Sequence, residues 1–454
     1  FTASNTQIIV DLTYPSTPTA YKPSKVRSAI DFGGADDGTY GIYWNQTHNG
    51  VNITIPFTND ASLAGGYLQF QARSTTGGTW VPIGFRKIIT PAQVAAAADL
   101  TYSFDTVTSI EDRTQPDGTT NVGGDNEQEF GIDKIDGFGN DKVLYFRVMV
   151  ADAAGNSIFS DASTSTLYVE ERSPTINEVT SSSDNKAYKV ADKINLQVVS
   201  TAVYAADPNM TITGIPQLNL ETGDIADAVV NYTSGSGSKT LLFEYTVATG
   251  HTSPDLNYFD VNSLTLNGGT IKDPYGNNVT LTLPTLDNAN ALKQKKDIEI
   301  DTTPPSVTFT YDDPDSLVRF EDGQMVITAT FSDSIEFNTV PILTVDFPNN
   351  TAGDKTNVNM TSTTGKIFTY NLPLVDNSDG QIAVSITAKD KALNPLIADS
   401  VFADSIITID NTDPIAFPTG LMTMFGDTVS GSWFNKSTDS IKVIVPIDIE
   451  DESL

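Results

Sequence analysis

The feature that most constrains the fold is a short segment that recurs four times along the chain. In each copy, apolar and β-branched residues end in Asp or Glu, and Thr or Ser and then Pro follow within a few residues. Proline donates no hydrogen bond to a sheet and keeps the preceding residue extended, so each segment ends one sheet and stiffly begins the next domain. The copies are IIVDLTYP (8–15), LYVEERSP (167–174), EIDTTPP (299–305) and TIDNTDP (408–414).

The spacing of these linkers predicts one domain between each pair. Sandwich domains of the immunoglobulin (Ig) kind contain ~100 residues, and the first interval is long enough for a domain with a large insertion. We predict β-sandwiches over 16–169, 174–300 and 305–410, with a large acidic insertion over 88–142 in the first.

Both ends of the chain resemble parts of domains. The segment FTASNTQIIVDLTYP resembles FADSIITIDNTDP (402–414), which predicts that 1–10 is the last strand of a preceding repeat domain. The end, WFNKSTDSIKVIVPIDIEDESL, resembles 43–63, which predicts that 415–454 holds only the opening strands of a further, truncated repeat domain. The simplest interpretation is a window from a longer repetitive chain.

A second motif lies late in each predicted domain, where an apolar strand runs into Asp-x-x-Gly-Asn or Asp-x-x-Leu-Asn. Gly and Asn tolerate positive φ, so the motif predicts a tight turn between the last two strands. The composition also favours β-structure with many turns, since the chain has 32 Gly and 23 Pro, and 91–99 is the one clear helical pattern. The copies are VLYFRVMVADAAGN (143–156), LTLNGGTIKDPYGN (264–277) and AVSITAKDKALN (383–394).

These turns and linkers resemble the bacterial Ig-like, cadherin-like tandem repeats of giant cell-surface and adhesin proteins. The resemblance is strongest over 187–301, good over 302–412 and weak over 16–142. It implies an all-β chain of tandem Ig-like Greek-key β-sandwich domains in an extended rod at the cell surface. It does not identify what the array binds.

Ig topology would place each turn at the pole where its own domain begins, beside the preceding linker. Loops after the second strand would add acids to the same poles. Converging oxygen ligands are what Ca²⁺ prefers, whereas Asp and Asn also make such turns without a metal. The predicted groups are Asp11 with Asp60, Asp152 and Asn156; Glu170 or Glu171 with Asp273 and Asn277; and Asp301 with Asp333, Asp390 and Asn394.

The predicted insertion contains a further candidate for calcium. DKIDGFGND places Asp133, Asp136 and Asp141 around glycines, which resembles a loose calcium loop. The segment lacks EF-hand spacing and the terminal Glu, so a flexible, solvated loop is the alternative.

Several classes of function are disfavoured by composition. The chain has no cysteine, and its two histidines, His48 and His251, lie in loop-like sequence, so we expect no catalytic residues and no enzyme activity. A net charge of −31 argues against nucleic acid as a partner. The sequence has no apolar run of membrane-spanning length. Trp44 and Trp433 are expected in sandwich cores.

The sequence therefore predicts a non-enzymatic structural or adhesive repeat segment of a long extracellular cell-surface protein, made rigid by Ca²⁺. The expected partners are neighbouring repeats, copies of the same chain, and cell-surface glycans or other surface proteins. One alternative is a self-assembling subunit of an extracellular filament, sheath or surface layer. Another is a set of spacer or carbohydrate-binding modules of a larger secreted enzyme.

Overall fold

The computed structural model consists almost entirely of β-strands. Within the residues that it describes, the α-helices are Pro91–Ala96 and Leu292–Lys295, and short 3₁₀ helices lie at Pro18–Tyr21, Ala61–Leu63 and Phe320–Asp322. The described residues are 11–15, 17–29, 41–74, 78–84, 86–105, 138–201, 209–223, 227–312, 317–336, 339–347, 351, 353–376, 379–397, 407–412, 423–426 and 441–444.

The first sandwich has two facing sheets. One has the strand order β1-β3-β7, and the other has the order β2-β10-β8-β4-β5, with β6 paired to β4 and β9 paired to β8. The strands are β1 Lys25–Ala29, β2 Tyr43–Trp44, β3 Gly50–Ile55, β4 Tyr67–Arg73, β5 Val81–Pro82, β6 Lys87–Ile88, β7 Leu100–Asp105, β8 Lys142–Ala151, β9 Ser157–Phe159 and β10 Leu167–Val169.

The second sandwich follows the same plan with more irregular strands. Its larger sheet has the order β11-β13-β17-β16-β15-β19, its smaller sheet the order β12-β22-β18, and β14 pairs with β21. The strands are β11 Thr175–Ser181, β12 Ala187–Tyr188, β13 Lys193–Thr201, β14 Thr211–Thr213, β15 Gln217–Glu221, β16 Ala228–Ser234, β17 Thr240–Thr246, β18 Thr252–Ser253, β19 Asn257–Tyr258, β20 Leu264–Thr265, β21 Thr270–Lys272 and β22 Glu299–Asp301.

The third sandwich is the most regular. Its sheets have the orders β23-β25-β29-β28 and β24-β31-β30-β26-β27. The strands are β23 Val307–Tyr311, β24 Leu317–Val318, β25 Gln324–Phe331, β26 Ile342–Asp346, β27 Lys355–Asn359, β28 Thr361–Ser362, β29 Ile367–Pro373, β30 Gly380–Thr387 and β31 Ile407–Ile409. Beyond them, β32 Thr423–Gly426 and β33 Ile441–Ile444 pair with each other.

One topological feature recurs in all three sandwiches. The first long strand pairs antiparallel in one sheet, and a short strand just after it pairs parallel with the last strand of the opposite sheet. This crossing of the opening segment from sheet to sheet, together with the central strand orders above, is the Ig-like Greek-key arrangement. The fold is therefore all-β, with Ig-like sandwiches in tandem.

Each sandwich has its own hydrophobic core. Alternate residues of the paired strands face inward, as in Ile53 and Ile55 of β3 and Ile327 and Ala329 of β25, which are fully buried. Complete burial of an isoleucine side chain stabilises the fold by roughly 1.5–3 kcal/mol. The three clusters draw on residues from Tyr21 to Val169, from Ile176 to Ile300 and from Val307 to Ile409.

Several local predictions can be compared with this architecture. The helix predicted over 91–99 is confirmed over Pro91–Ala96, where Thr90 and Gln93 form a capping box. Trp44 lies in the first core at 1% exposure, as expected. The span predicted as an insertion, 88–142, contains β7, which pairs with β3 along its whole length. Residues 1–10 and Trp433 lie outside the described residues.

Candidate functional site

Each predicted turn closes around its aspartate in the same way. The asparagine backbone N–H donates to one carboxylate oxygen of the aspartate, and the asparagine side-chain amide donates to the other. Both carboxylate oxygens are therefore used inside the turn, as in an Asx turn. The backbone bonds are 2.9 Å for Asn156 to Asp152, 2.7 Å for Asn277 to Asp273 and 2.8 Å for Asn394 to Asp390, and the amide bonds are 2.9, 3.1 and 2.9 Å.

The same asparagine amide also reaches the preceding linker. Its Nδ2 donates to the backbone carbonyl of the linker acid, from Asn156 to Asp11 at 3.1 Å, from Asn277 to Glu170 at 2.9 Å and from Asn394 to Asp301 at 3.0 Å. Each turn thus touches the linker that leads into its own sandwich. We call these contacts the first joint (at Asp11), the second joint (at Glu170) and the third joint (at Asp301).

The linker acids share a local conformation as well. The backbone N–H two residues after each acid donates to its carboxylate, at 2.9 Å from Thr13 to Asp11, 2.8 Å from Arg172 to Glu170 and 2.9 Å from Thr303 to Asp301. This bond holds the acid's side chain back along the linker instead of leaving it in solvent. Asp410, at the end of the third sandwich, receives the same bond from Thr412 at 3.0 Å.

The third joint brings three carboxylates together. One carboxylate oxygen each from Asp301, Asp333 and Asp390 lies within 4.8 Å of the others, and this is the one such acidic group among the described residues. Asp390 is fully buried. Burial, with contributions from neighbouring carboxylates, raises the pKa of Asp390 and of Asp301 above the ordinary aspartate value. The nearest ion pair is a loose one, since Lys366 Nζ lies 3.8 Å from Asp333 and both are about half exposed.

The second joint supplies its own cation. The Glu170 side chain is completely buried, and Arg172 donates to it from Nε and from Nη2, both at 3.0 Å. The same Nη2 also lies 3.0 Å from each carboxylate oxygen of Asp141. A guanidinium therefore occupies the place between two acids.

The second joint also has contacts that the other joints do not show among the described residues. Asn45 of the first sandwich donates to the carbonyl of Tyr275 at 2.8 Å, and the Gln46 N–H donates to Asn277 Oδ1 at 3.1 Å. The Tyr275 ring packs edge-on against Tyr43, with centroids 5.1 Å apart, and stacks on Tyr168 at 5.5 Å. This joint is therefore a packed interface between two sandwiches.

The first joint has fewer acidic contacts. Asp60 caps the Ala61–Leu63 helix, with its carboxylate accepting from Ser62 N at 3.1 Å and from Ser62 Oγ at 2.6 Å. The Ala153 N–H of the turn donates to the Ser62 carbonyl at 3.2 Å. Asp60 thus lies on the loop that contacts the turn, but it does not form a three-carboxylate group with Asp11 and Asp152.

The remaining predicted ligands have other places. The Glu171 carboxylate accepts from the Trp44 indole at 3.2 Å. The linker acid whose carbonyl meets the turn is Glu170. Asp141 pairs with Arg172, while Asp133 and Asp136 lie outside the described residues. The sequence reasoning missed Arg172. Its position two residues after a linker acid, where the other linkers have Thr, is the signal that could have found it.

The histidines occupy structural positions. His48 is buried, and its Nδ1 accepts from the Asn45 N–H at 3.3 Å. His251 Nδ1 lies 2.7 Å from the hydroxyl of Tyr245, and the two rings stack. A nucleophile activated by histidine needs a hydrogen bond between the two groups; neither of these bonds involves a serine hydroxyl.

No family model matches the chain, and no curated protein does. Solved structures give weak matches. A structure from a 1.5-MDa bacterial ice-binding adhesin is 13% identical, with 88% of this chain and 100% of that chain covered and a TM-score of 0.37. The FN1–FN3 domains of chicken CNTN1 are 8% identical, with 83% and 95% covered and a TM-score of 0.20. The fibronectin(III)-like modules of Clostridium thermocellum CbhA are 17% identical, with 52% and 94% covered and a TM-score of 0.18.

Identities and TM-scores this low carry no functional argument, and the fold assignment rests on the strand orders given above. In the part of the chain that the structure describes, no helix is long and apolar enough to cross a membrane.

Proposed function

We propose that this chain is a non-catalytic structural or adhesive repeat segment of an extracellular, cell-surface protein, in which consecutive Ig-like sandwiches are held at fixed angles. The observation that carries the proposal is the repeated joint. At Asp11, Glu170 and Asp301, an asparagine from the following sandwich donates to the linker carbonyl. A chain that only needed to connect independent domains would have no use for a repeated contact of this kind.

A fixed angle matters because it converts separate domains into a spacer of defined length. Inter-domain interfaces within a chain are usually small, so relative motion of neighbouring domains is the default. The prolines of the linkers restrict rotation on one side of each joint, and the asparagine bond restrains the other. A binding surface anywhere on such an array would then be displayed at a set distance from its anchor.

Small-angle scattering of the full chain tests this proposal. The triple variant Asn156→Ala, Asn277→Ala, Asn394→Ala removes all three linker bonds, and we expect a broader distribution of overall dimensions than in the unchanged chain. A matched control is Asn195→Ala, Asn231→Ala, Asn371→Ala, which changes three exposed asparagines away from the joints. Identical scattering from all three proteins would contradict fixed joints.

We also propose that the third joint holds a divalent cation, with Ca²⁺ as the preferred ion. Ca²⁺ binds carboxylate oxygens at about 2.3–2.6 Å, so two ligands of one ion can be at most about 5 Å apart. The separations within 4.8 Å among Asp301, Asp333 and Asp390 meet that limit. The second joint supports a cation at the third joint independently. There the positive charge comes from the Arg172 guanidinium, which lies between Glu170 and Asp141.

A further inference from the structure

The outer face of the second sheet in the first sandwich carries two neighbouring arginines. Arg73 ends β4 and Arg147 lies in β8, where the register pairs Gln71 with Arg147 and Arg73 with Tyr145. Both side chains point away from the core, since Ala72 and Phe146 beside them in sequence are fully buried. The two guanidinium groups therefore lie diagonally across one strand pair.

Aromatic rings hold both groups in place. The Trp80 ring centroid is 4.4 Å from the guanidinium carbon of Arg73 and 4.6 Å from that of Arg147. Arg147 also lies 4.2 Å from the Phe159 ring centroid, and its Nε donates to Gln71 Oε1 at 2.8 Å. Such contacts fix the arginine orientation without neutralising the charge.

Neither arginine has an acidic partner in the described part of the chain. The chain has 57 acidic residues against 26 basic ones, yet no carboxylate pairs with Arg73 or Arg147, and Arg73 Nε is buried without any hydrogen-bond acceptor. Burial and the proximity of Arg73 lower the pKa of Arg147. Two like charges kept together without a counter-ion cost free energy, which an anionic ligand would recover.

The surroundings favour a compact ligand. Strands β4 and β8 are paired on both sides, so no free strand edge is available for a peptide to extend the sheet at this point. The Phe159 ring beside Arg147 is 40% exposed and offers an apolar surface. A guanidinium binds carboxylate through two parallel N–H bonds, and an aromatic surface next to a few polar groups is typical of small-ligand sites.

We propose that Arg73 and Arg147 form a binding site for an acidic saccharide, with the guanidinium groups holding a carboxylate and Phe159 supporting the sugar ring. The site is on a different surface from the three joints and does not depend on the joints being rigid. Its function would be recognition of acidic glycans by the first sandwich.

Calorimetric titration of the full chain with a galacturonate trimer tests this, with the fully methyl-esterified trimer as a neutral probe of the same sugar. The acid should bind and the ester should not. The double variant Arg73→Gln, Arg147→Gln should weaken binding by about tenfold or more. The control Lys239→Gln, Arg319→Gln loses the same charge elsewhere and should bind as the unchanged chain does. Arg147→Lys keeps the charge but loses the planar fork, and should weaken binding as well.

Three results with the two trimers would overturn the proposal. They are the absence of binding to the acidic trimer, equal binding of the ester, and unchanged binding by the arginine double variant when its thermal unfolding shows an intact fold. Poly-glutamate that binds as tightly as the trimer, with the same dependence on both arginines, would replace the saccharide by an acidic peptide and would equally overturn it.

Discussion

Leu393 occupies the position in the third turn that glycine fills in the other two. Its φ is 67°, against 93° for Gly155 and 92° for Gly276. A non-glycine residue in this region pays roughly 1–2 kcal/mol, and the side chain gives little packing in return because it is 44% exposed. The turn at Asp390 and Asn394 therefore forms with leucine at this position, but the strained backbone of Leu393 destabilises it.

Leu393→Gly should stabilise the third sandwich. The relief of strain exceeds the entropy that glycine adds to the unfolded chain, so we expect a net gain of about 0.5–1 kcal/mol. Scanning calorimetry of the full chain measures it, with Leu343→Ala in the core identifying the transition of the third sandwich. The reverse exchange, Gly155→Leu, should lower the stability of the first sandwich. An unchanged unfolding temperature of the third sandwich would show that Leu393 is not strained.

Arg172→Gln should loosen the second joint. It leaves the carboxylate of Glu170 buried beside Asp273 without its cation, and the expected cost is about 2 kcal/mol, since Arg172 itself is partly exposed. The measurement is amide hydrogen exchange in the 170–174 linker. Adding Glu170→Gln removes the buried charge and should restore much of the protection. If the single variant exchanges as slowly as the unchanged chain, Glu170 does not need Arg172.

The residue-level predictions succeeded where the chemistry is local. An Asp followed four residues later by Asn can form its turn from neighbouring atoms, so the sequence was sufficient for the turns at Asp152, Asp273 and Asp390. The partner of Arg172 in space, Asp141, is 31 residues away in sequence. Nothing in the local pattern brings these two side chains together.

The stability of the third joint should change with pH in an unusual direction. The pKa values of Asp301 and Asp390 are raised in the folded chain, mainly by burial. Between the ordinary aspartate pKa and the raised values, the folded state holds more protons than the unfolded state, so stability falls as pH rises through this window. Charge repulsion among the three acids is then fully present at neutral pH.

Without divalent cations, the thermal midpoint of the third sandwich should therefore rise as pH is lowered from neutral towards the raised pKa values. Asp333→Asn removes one of the charges that raise the pKa of Asp390, and it should flatten this dependence. The change is measured by calorimetry at several pH values in the presence of chelator. A midpoint that falls steadily over the same window in the unchanged chain would contradict the assigned shifts.

The prediction of strands has the same limit, because the sequence of one segment does not show which distant segment it pairs with. Side chains that alternate along β23 face inward, and Val307 and Phe309 are buried. Leu100–Asp105 falls within the predicted insertion, yet its pairing with β3 makes it the edge strand of the first sheet. That pairing joins residues about 50 positions apart, so the pattern of one segment cannot establish it.

Across the whole molecule, the three joints share a backbone contact and differ in what neutralises their acidic side chains. The second joint has a guanidinium between its acids, and the third has three carboxylates without a guanidinium among the residues that the structure describes. The sequence predicted that each turn lies beside the linker preceding its own sandwich, and the asparagine contacts agree with this. It could not tell which pole would gather a complete set of acids, because Asp60 and Asp333 follow equivalent strands but make different contacts.

The most direct test of a cation at the third joint is amide hydrogen exchange of the full chain with Ca²⁺ and with chelator, measured at 301–305 and at 170–174. Ca²⁺ should slow exchange at the third joint, because a cation among Asp301, Asp333 and Asp390 removes their mutual repulsion. It should leave the second joint unchanged, since Arg172 already neutralises Glu170. Asp333→Asn should reduce the effect of Ca²⁺ at 301–305. Equal exchange with and without Ca²⁺ at both linkers, or an equal slowing at both, would contradict the account.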